Sequence, residues 1–163
     1  MSREPDTDPI EQLTHDHGQL SALAQTAAGA LARMERAEEM SEEALDELVH
    51  AVESLRDSLL AHFAREEEGL FPFVDAQVPA LAPQVAGLLA DHDAVIARTD
   101  DLIRAAGQAA STGVGYALCV STYDRFVEVY AGHAQAEQAL LRAVDAALDA
   151  EARKALRALL QAI

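Results

Sequence analysis

The residues in this chain best suited to chemistry are two histidine–glutamate pairs with the same spacing: His62 with Glu66 in HFAREEEGLFPF, and His133 with Glu137 in HAQAEQALL. A four-residue step places imidazole and carboxylate on one face of a helix. The surrounding pattern identifies that face. Steps of three and four residues through the first pair give Leu48, Val52, Leu55, Leu59, His62, Glu66, Leu70 and Phe73; through the second they give Phe126, Tyr130, His133, Glu137, Leu140 and Val144. Each series is the apolar seam of an amphipathic helix, and in each the polar pair stands where leucine belongs. An ionised carboxylate buried without a partner costs on the order of several kcal/mol. Two glutamates aimed at one core therefore need a cation, a proton or a hydrogen-bond network, and a metal ion meets that need most simply.

The elements that must position these pairs are helices. The chain has 163 residues, enough for one domain with a proper core, and half of them are hydrophobic with few aromatics and no tryptophan, a composition that favours helix over sheet. Asp8, Pro9 and Glu11 mark the start of a first helix running to about residue 36, with Ile10, Leu13, His17, Leu20, Ala24, Ala27, Leu31 and Met34 on its seam. His15, about 200° round the wheel from His17, belongs to the surface. Ser41 opens a second helix that should kink or finish near Pro72, and VDAQVPALAP is the next connection. A third helix to about residue 110 carries Val85, Leu88, His92, Ile96, Thr99, Leu102 and Ala106 inward. STGVG breaks it, a fourth helix spans about Tyr116 to Leu148, and Asp149 caps a short last one. The reading is all-α: an up-down-up-down four-helix bundle over residues 8–163 with a short C-terminal fifth helix, preceded by a flexible tail at 1–7.

Four inward histidines then fall at one level. In such a bundle, residues on adjacent helices meet when they lie equally far from the turn between them. His17 and His62 are about 22 and 23 residues from a turn near residue 39, and His92 and His133 about 21 and 20 from one near residue 113. Across the middle turn near residue 78, His62 and His92 are about 16 and 14 residues away.

Four imidazoles and two carboxylates exceed what one tetrahedral zinc requires. They suit two octahedral ions, iron first and manganese second, with the glutamates able to bridge. Two such ions offer about twelve coordination positions, of which these six side chains fill about eight and an oxo or hydroxo bridge about two more. About two stay open for a small ligand.

The formal charge of −16 argues against nucleic acid and against docking on an anionic membrane. The one cysteine, Cys119, excludes an internal disulfide and reads as a small buried apolar residue. Without a signal-like or membrane-spanning stretch, the expected location is cytoplasmic.

His17 in a DH pair followed by Leu20, HFAREEEGLFPF, the DH at 91 and 92, and HAQAEQALL together resemble the hemerythrin-like HHE cation-binding family over nearly the whole chain. The resemblance implies a non-heme di-iron centre held by His17, His62, Glu66, His92, His133 and Glu137, in a protein that handles O2, H2O2 or NO or that senses iron and oxygen. Peroxide decomposition would be its enzymatic form. Oxygen-carrying hemerythrins have a second histidine four residues after the one in helix three, where this chain has Ile96. They also use an aspartate five residues after the helix-four histidine; here Gln138 stands there and Glu137 serves one residue earlier. The chain is thus similar to the branch with a His-poorer, carboxylate-bearing site. His50 reads as a surface residue and Glu67 as pointing elsewhere unless a carboxylate shift recruits it. Tyr130 reads as core with the capacity to donate to a bound ligand, and Gly18 and Gly132 as sites of close helix approach or a path for small gases.

Overall fold

The structure, a computed structural model, describes residues 8–163, so the tail expected at 1–7 lies outside the described residues. Helix α1 spans Pro9–Ala37, α2 Glu42–Arg65, α3 Phe71–Gln77, α4 Ala82–Thr112, α5 Tyr116–Ala147 and α6 Ala150–Leu160. The starts follow from local chemistry. Asp8, Ser41 and Asp149 each take an extended backbone, and their side chains accept from the amides of Ile10, Ala44 and Ala152, satisfying donors that a helix leaves open at its N-terminus. Between α4 and α5 the chain reverses through Gly113 and Gly115, both at positive φ (71° and 114°), which glycine adopts without strain.

The long helices pack as a ring, α1 on α2, α2 on α4, α4 on α5 and α5 on α1, which is the up-down-up-down bundle. No single helix among the described residues is long and apolar enough to cross a membrane.

Two stretches depart from the sequence reading. Helix α2 gives out before Pro72 rather than at it, and the chain stays helical beyond that proline. After Arg65 it continues through a π-helical turn, Glu66–Leu70, into α3, so that VDAQ is helical and the connection shrinks to Val78 and a 3₁₀ turn at Pro79–Leu81. The cause is local. Pro72 has no N–H to offer the carbonyl four residues back and its ring crowds that carbonyl; the ladder re-forms one residue wider, with the Phe71 amide on the Glu66 carbonyl. The extra residue shifts the phase, and Phe71 and Val74 are buried while Phe73 is only partly so. On α4, Val95 takes the inner position expected of Ile96, which is half-buried.

The core is layered. One apolar cluster holds Leu20, Leu55, Leu59, Phe63, Val95 and Phe126; another holds Leu13, Leu70, Phe71, Leu88, Leu140 and Leu156. On every long helix the histidine lies in sequence between a member of the first and a member of the second. Hydrophobic burial on both sides thus fixes the depth of a polar layer that would not assemble by its own attraction. Helix α6 closes one end, with Leu156 and Leu160 buried and Leu160 lying against the π turn at Gly69.

Candidate metal centre

The six polar residues marked by the sequence meet in that layer as two triads. His17, His62 and Glu137 form one, and Glu66, His92 and His133 the other; within each, one nitrogen or oxygen per residue lies within 4.8 Å of the others. The triads touch. His17 Nε2 is 3.2 Å from His62 Nε2. Glu137 Oε2 is 2.7 Å from His17 Nε2, 3.6 Å from His62 Nε2 and 3.4 Å from His133 Nε2. Glu66 Oε2 is 3.1 Å from His92 Nε2 and 3.8 Å from His62 Nε2. Each carboxylate therefore faces imidazoles of both triads, the placement of a group able to bridge two ions.

Burial makes this arrangement chemically demanding. Glu66 and Glu137 are both 0 % exposed, and apart from the histidine–glutamate contacts just given their oxygens have no hydrogen-bond partner, nor do His17 Nδ1 and His133 Nδ1. Buried polar groups are almost always paired. Carboxylate oxygens and imidazole nitrogens left open towards a common centre are the donor set for a cation of intermediate hardness. The residues present fit a metal.

Protonation in the metal-free protein follows from the same contacts. Burial, then the charge of Glu137, pushes the Glu66 carboxyl well above its usual range. Burial alone would raise Glu137 too, but its contacts with His133, His17 and His62 outweigh that and hold it below. The two carboxyls are thus driven apart, Glu66 towards the protonated form and Glu137 towards the ionised one, as closely placed acids are. Burial opposes charge on His62, yet its contacts with Asp16 and Glu137 raise it to about 9. Burial keeps His92 below its ordinary value despite Glu67.

Several residues around the centre escaped the sequence reading. Asp16 Oδ2 lies 3.5 Å from His62 Nδ1 and is held at 2.5 Å by Arg65. Glu67, expected to point elsewhere, has Oε1 2.7 Å from His92 Nδ1. Phe63 stacks on the His92 ring with centroids 3.8 Å apart and planes 9° from parallel. The only sequence signals were adjacency: Asp16 beside His17, Phe63 beside His62 and Glu67 beside Glu66. Tyr130 stacks on Phe126, and burial, then the charge of Glu137, pushes its hydroxyl up to about 12. His15 and His50 are exposed, and Cys119 is buried. A Cβ at Gly18 or Gly132 would meet nothing within 4 Å, so neither glycine serves a close helix approach.

No curated protein matches the chain. The Hemerythrin HHE cation binding domain matches residues 8–141, which takes in α1 to α4, both triads and most of α5. With two clusters of histidine and glutamate buried at the level where the four long helices meet, and with that match over most of its length, the chain belongs to the hemerythrin HHE cation-binding family.

Proposed function

We propose that this protein is a non-heme di-iron protein that binds or reacts with a small oxidant or gas, O2, H2O2 or NO, with peroxide decomposition as its enzymatic activity. The observation that carries the reading is the pair of abutting triads, each with the ligand atoms to hold one cation, with Glu66 and Glu137 facing both. In this reading His17, His62 and Glu137 hold one ion and Glu66, His92 and His133 the other, with manganese as the second choice of metal. Iron held there would supply redox chemistry and open coordination positions for a small ligand.

The chain's own residues supply the setting. Phe63, Leu59 and Phe126 on one side of the layer and Leu70, Phe71 and Leu140 on the other exclude bulk water and large substrates. Tyr130 keeps its proton at neutral pH because of its burial, so one turn before His133 it remains a hydrogen-bond donor. A cytoplasmic location belongs to the same reading.

One observation favours a second reading, an iron or oxygen sensor. Helix α6 lies beyond the matched residues and packs on the π turn that carries Glu66, its Leu160 seated against Gly69. Metal loading would then be transmitted to the C-terminus. Peroxide assays on iron-loaded protein separate the two. Sustained turnover to water and dioxygen without a protein partner is expected of the enzyme, whereas no turnover together with metal-dependent protection of α6 amides against hydrogen exchange would replace the enzyme by the sensor.

A further inference from the structure

The second triad depends on which nitrogen of His92 faces it. Only Nε2 is useful there, 3.1 Å from Glu66 Oε2 and with no hydrogen bond to any group outside the cluster. Stacking does not decide the matter. Phe63 at 3.8 Å and Phe71 at 5.5 Å lie roughly parallel to the ring, which fixes its plane but leaves two orientations related by a flip, each with two neutral tautomers.

We infer that Glu67 is the positioning residue that makes this choice, accepting a hydrogen bond from Nδ1–H of His92 and so presenting a bare Nε2 to Glu66 and His133. The contact is 2.7 Å long. In the flipped ring a carbon would face Glu67, and in the other tautomer Nδ1 would have no proton to give. Both alternatives lose the hydrogen bond.

Two consecutive glutamates contact one imidazole from both ends, Glu66 at Nε2 and Glu67 at Nδ1, and they do so where the helix is irregular. On a regular α-helix neighbouring side chains diverge by about 100°. Glu66 and Glu67 instead open the π turn imposed by Pro72. That turn is packed under α6, with Leu160 and Ile163 so close to Gly69 that a Cβ there would lie 2.7 and 2.8 Å from their methyl carbons.

The two triads differ in this respect. Facing His62, Asp16 is shared with Arg65, whereas the contact of Glu67 is with His92, in the other triad. Loss of Glu67 should therefore weaken one pocket and spare the other. This consequence rests on the two-metal reading; the choice of tautomer does not.

The test uses the full chain with nitrogen-15-labelled histidine, metal-free, comparing wild type, Glu67→Ala and Glu67→Gln. Glu67 is 42 % exposed along its side chain, so the variants should fold, and circular dichroism checks that. Two-bond nitrogen–proton spectra should show His92 protonated at Nδ1 in wild type. Glu67→Ala should lose that single tautomer, and Glu67→Gln should retain it because the amide oxygen still accepts. In anaerobic Fe(II) titrations Glu67→Ala should weaken one of two equivalents by about 10–100-fold, with Glu67→Gln affected less. Protonation at Nε2 in wild type, or an unchanged tautomer in Glu67→Ala, overturns the inference. If no variant takes up iron while the tautomers behave as stated, the two-metal reading fails and Glu67 keeps its role.

Discussion

Anaerobic loading of the metal-free protein with Fe(II), at a free concentration a thousand times the dissociation constant, should raise its unfolding free energy by about 4 kcal/mol for each occupied pocket. For a chain of this size that is about 8–16 °C in melting temperature for the first pocket alone. That figure follows from the ratio of concentration to dissociation constant; the affinity behind it comes from two buried carboxyls and several imidazole nitrogens whose polar contacts are only with one another, a set that a cation satisfies only in the native state.

At one fixed iron concentration the effect should depend on pH with a definite sign. His62, raised to about 9 in the metal-free protein, must release its proton before Nε2 can bind an ion. This group alone weakens metal affinity by about tenfold per pH unit below that value, and the raised Glu66 carboxyl acts in the same direction. The metal-free protein behaves oppositely. A histidine whose folded pKa exceeds its unfolded value stabilises the fold fully below about pH 6.5 and loses that contribution as pH rises through about 9. Calorimetry at pH 6 and pH 8 should therefore show a larger metal-induced rise at pH 8. Identical melting with and without iron at both values would rule out a buried metal centre.

The second large effect is a contrast between two chemically identical substitutions. Glu66→Gln should leave the metal-free protein within about 1 kcal/mol of wild type, because the amide resembles the protonated acid that burial and Glu137 enforce there. Glu137→Gln should destabilise the metal-free protein by about 2 kcal/mol, because it removes the ionised carboxylate that His17, His62 and His133 share and leaves His62 with Asp16 alone. Both variants should lose much of the iron-induced rise in melting temperature, since each carboxylate faces both triads. Urea unfolding of the metal-free proteins checks the first half and melting with iron the second. Equal destabilisation by both substitutions would show that the carboxyls do not divide the proton as described.

Much of this was legible before the structure, because bundle helices announce themselves locally. Asp8, Ser41 and Asp149 cap where their side chains can reach the following amides, and the seams recur at helical spacing. The level of His17, His62, His92 and His133 follows from residue counts because every turn of α-helix has the same rise. What failed was the assumption of uniform pitch. Pro72 inserts a π turn, so Phe71 and Val74 replaced Phe73 in the core, and Val95 replaced Ile96 where either residue is apolar enough for the face. Asp16, Glu67 and Phe63 could not be assigned roles because their partners lie on other helices. No periodicity distinguishes a surface carboxylate from one that leans back onto a buried imidazole. The similarity of Glu66 to Glu67 in sequence conceals their different contacts, one at Nε2 and one at Nδ1 of the same histidine.

The central claim, that one buried layer of this bundle holds two metal ions, is tested most directly by elemental analysis of the full chain, purified without chelator and again after anaerobic reconstitution with iron. It predicts about two irons per chain for wild type and a clear loss in His62→Ala. Absence of iron and manganese from the reconstituted wild-type protein, or a full load retained by His62→Ala, would contradict it.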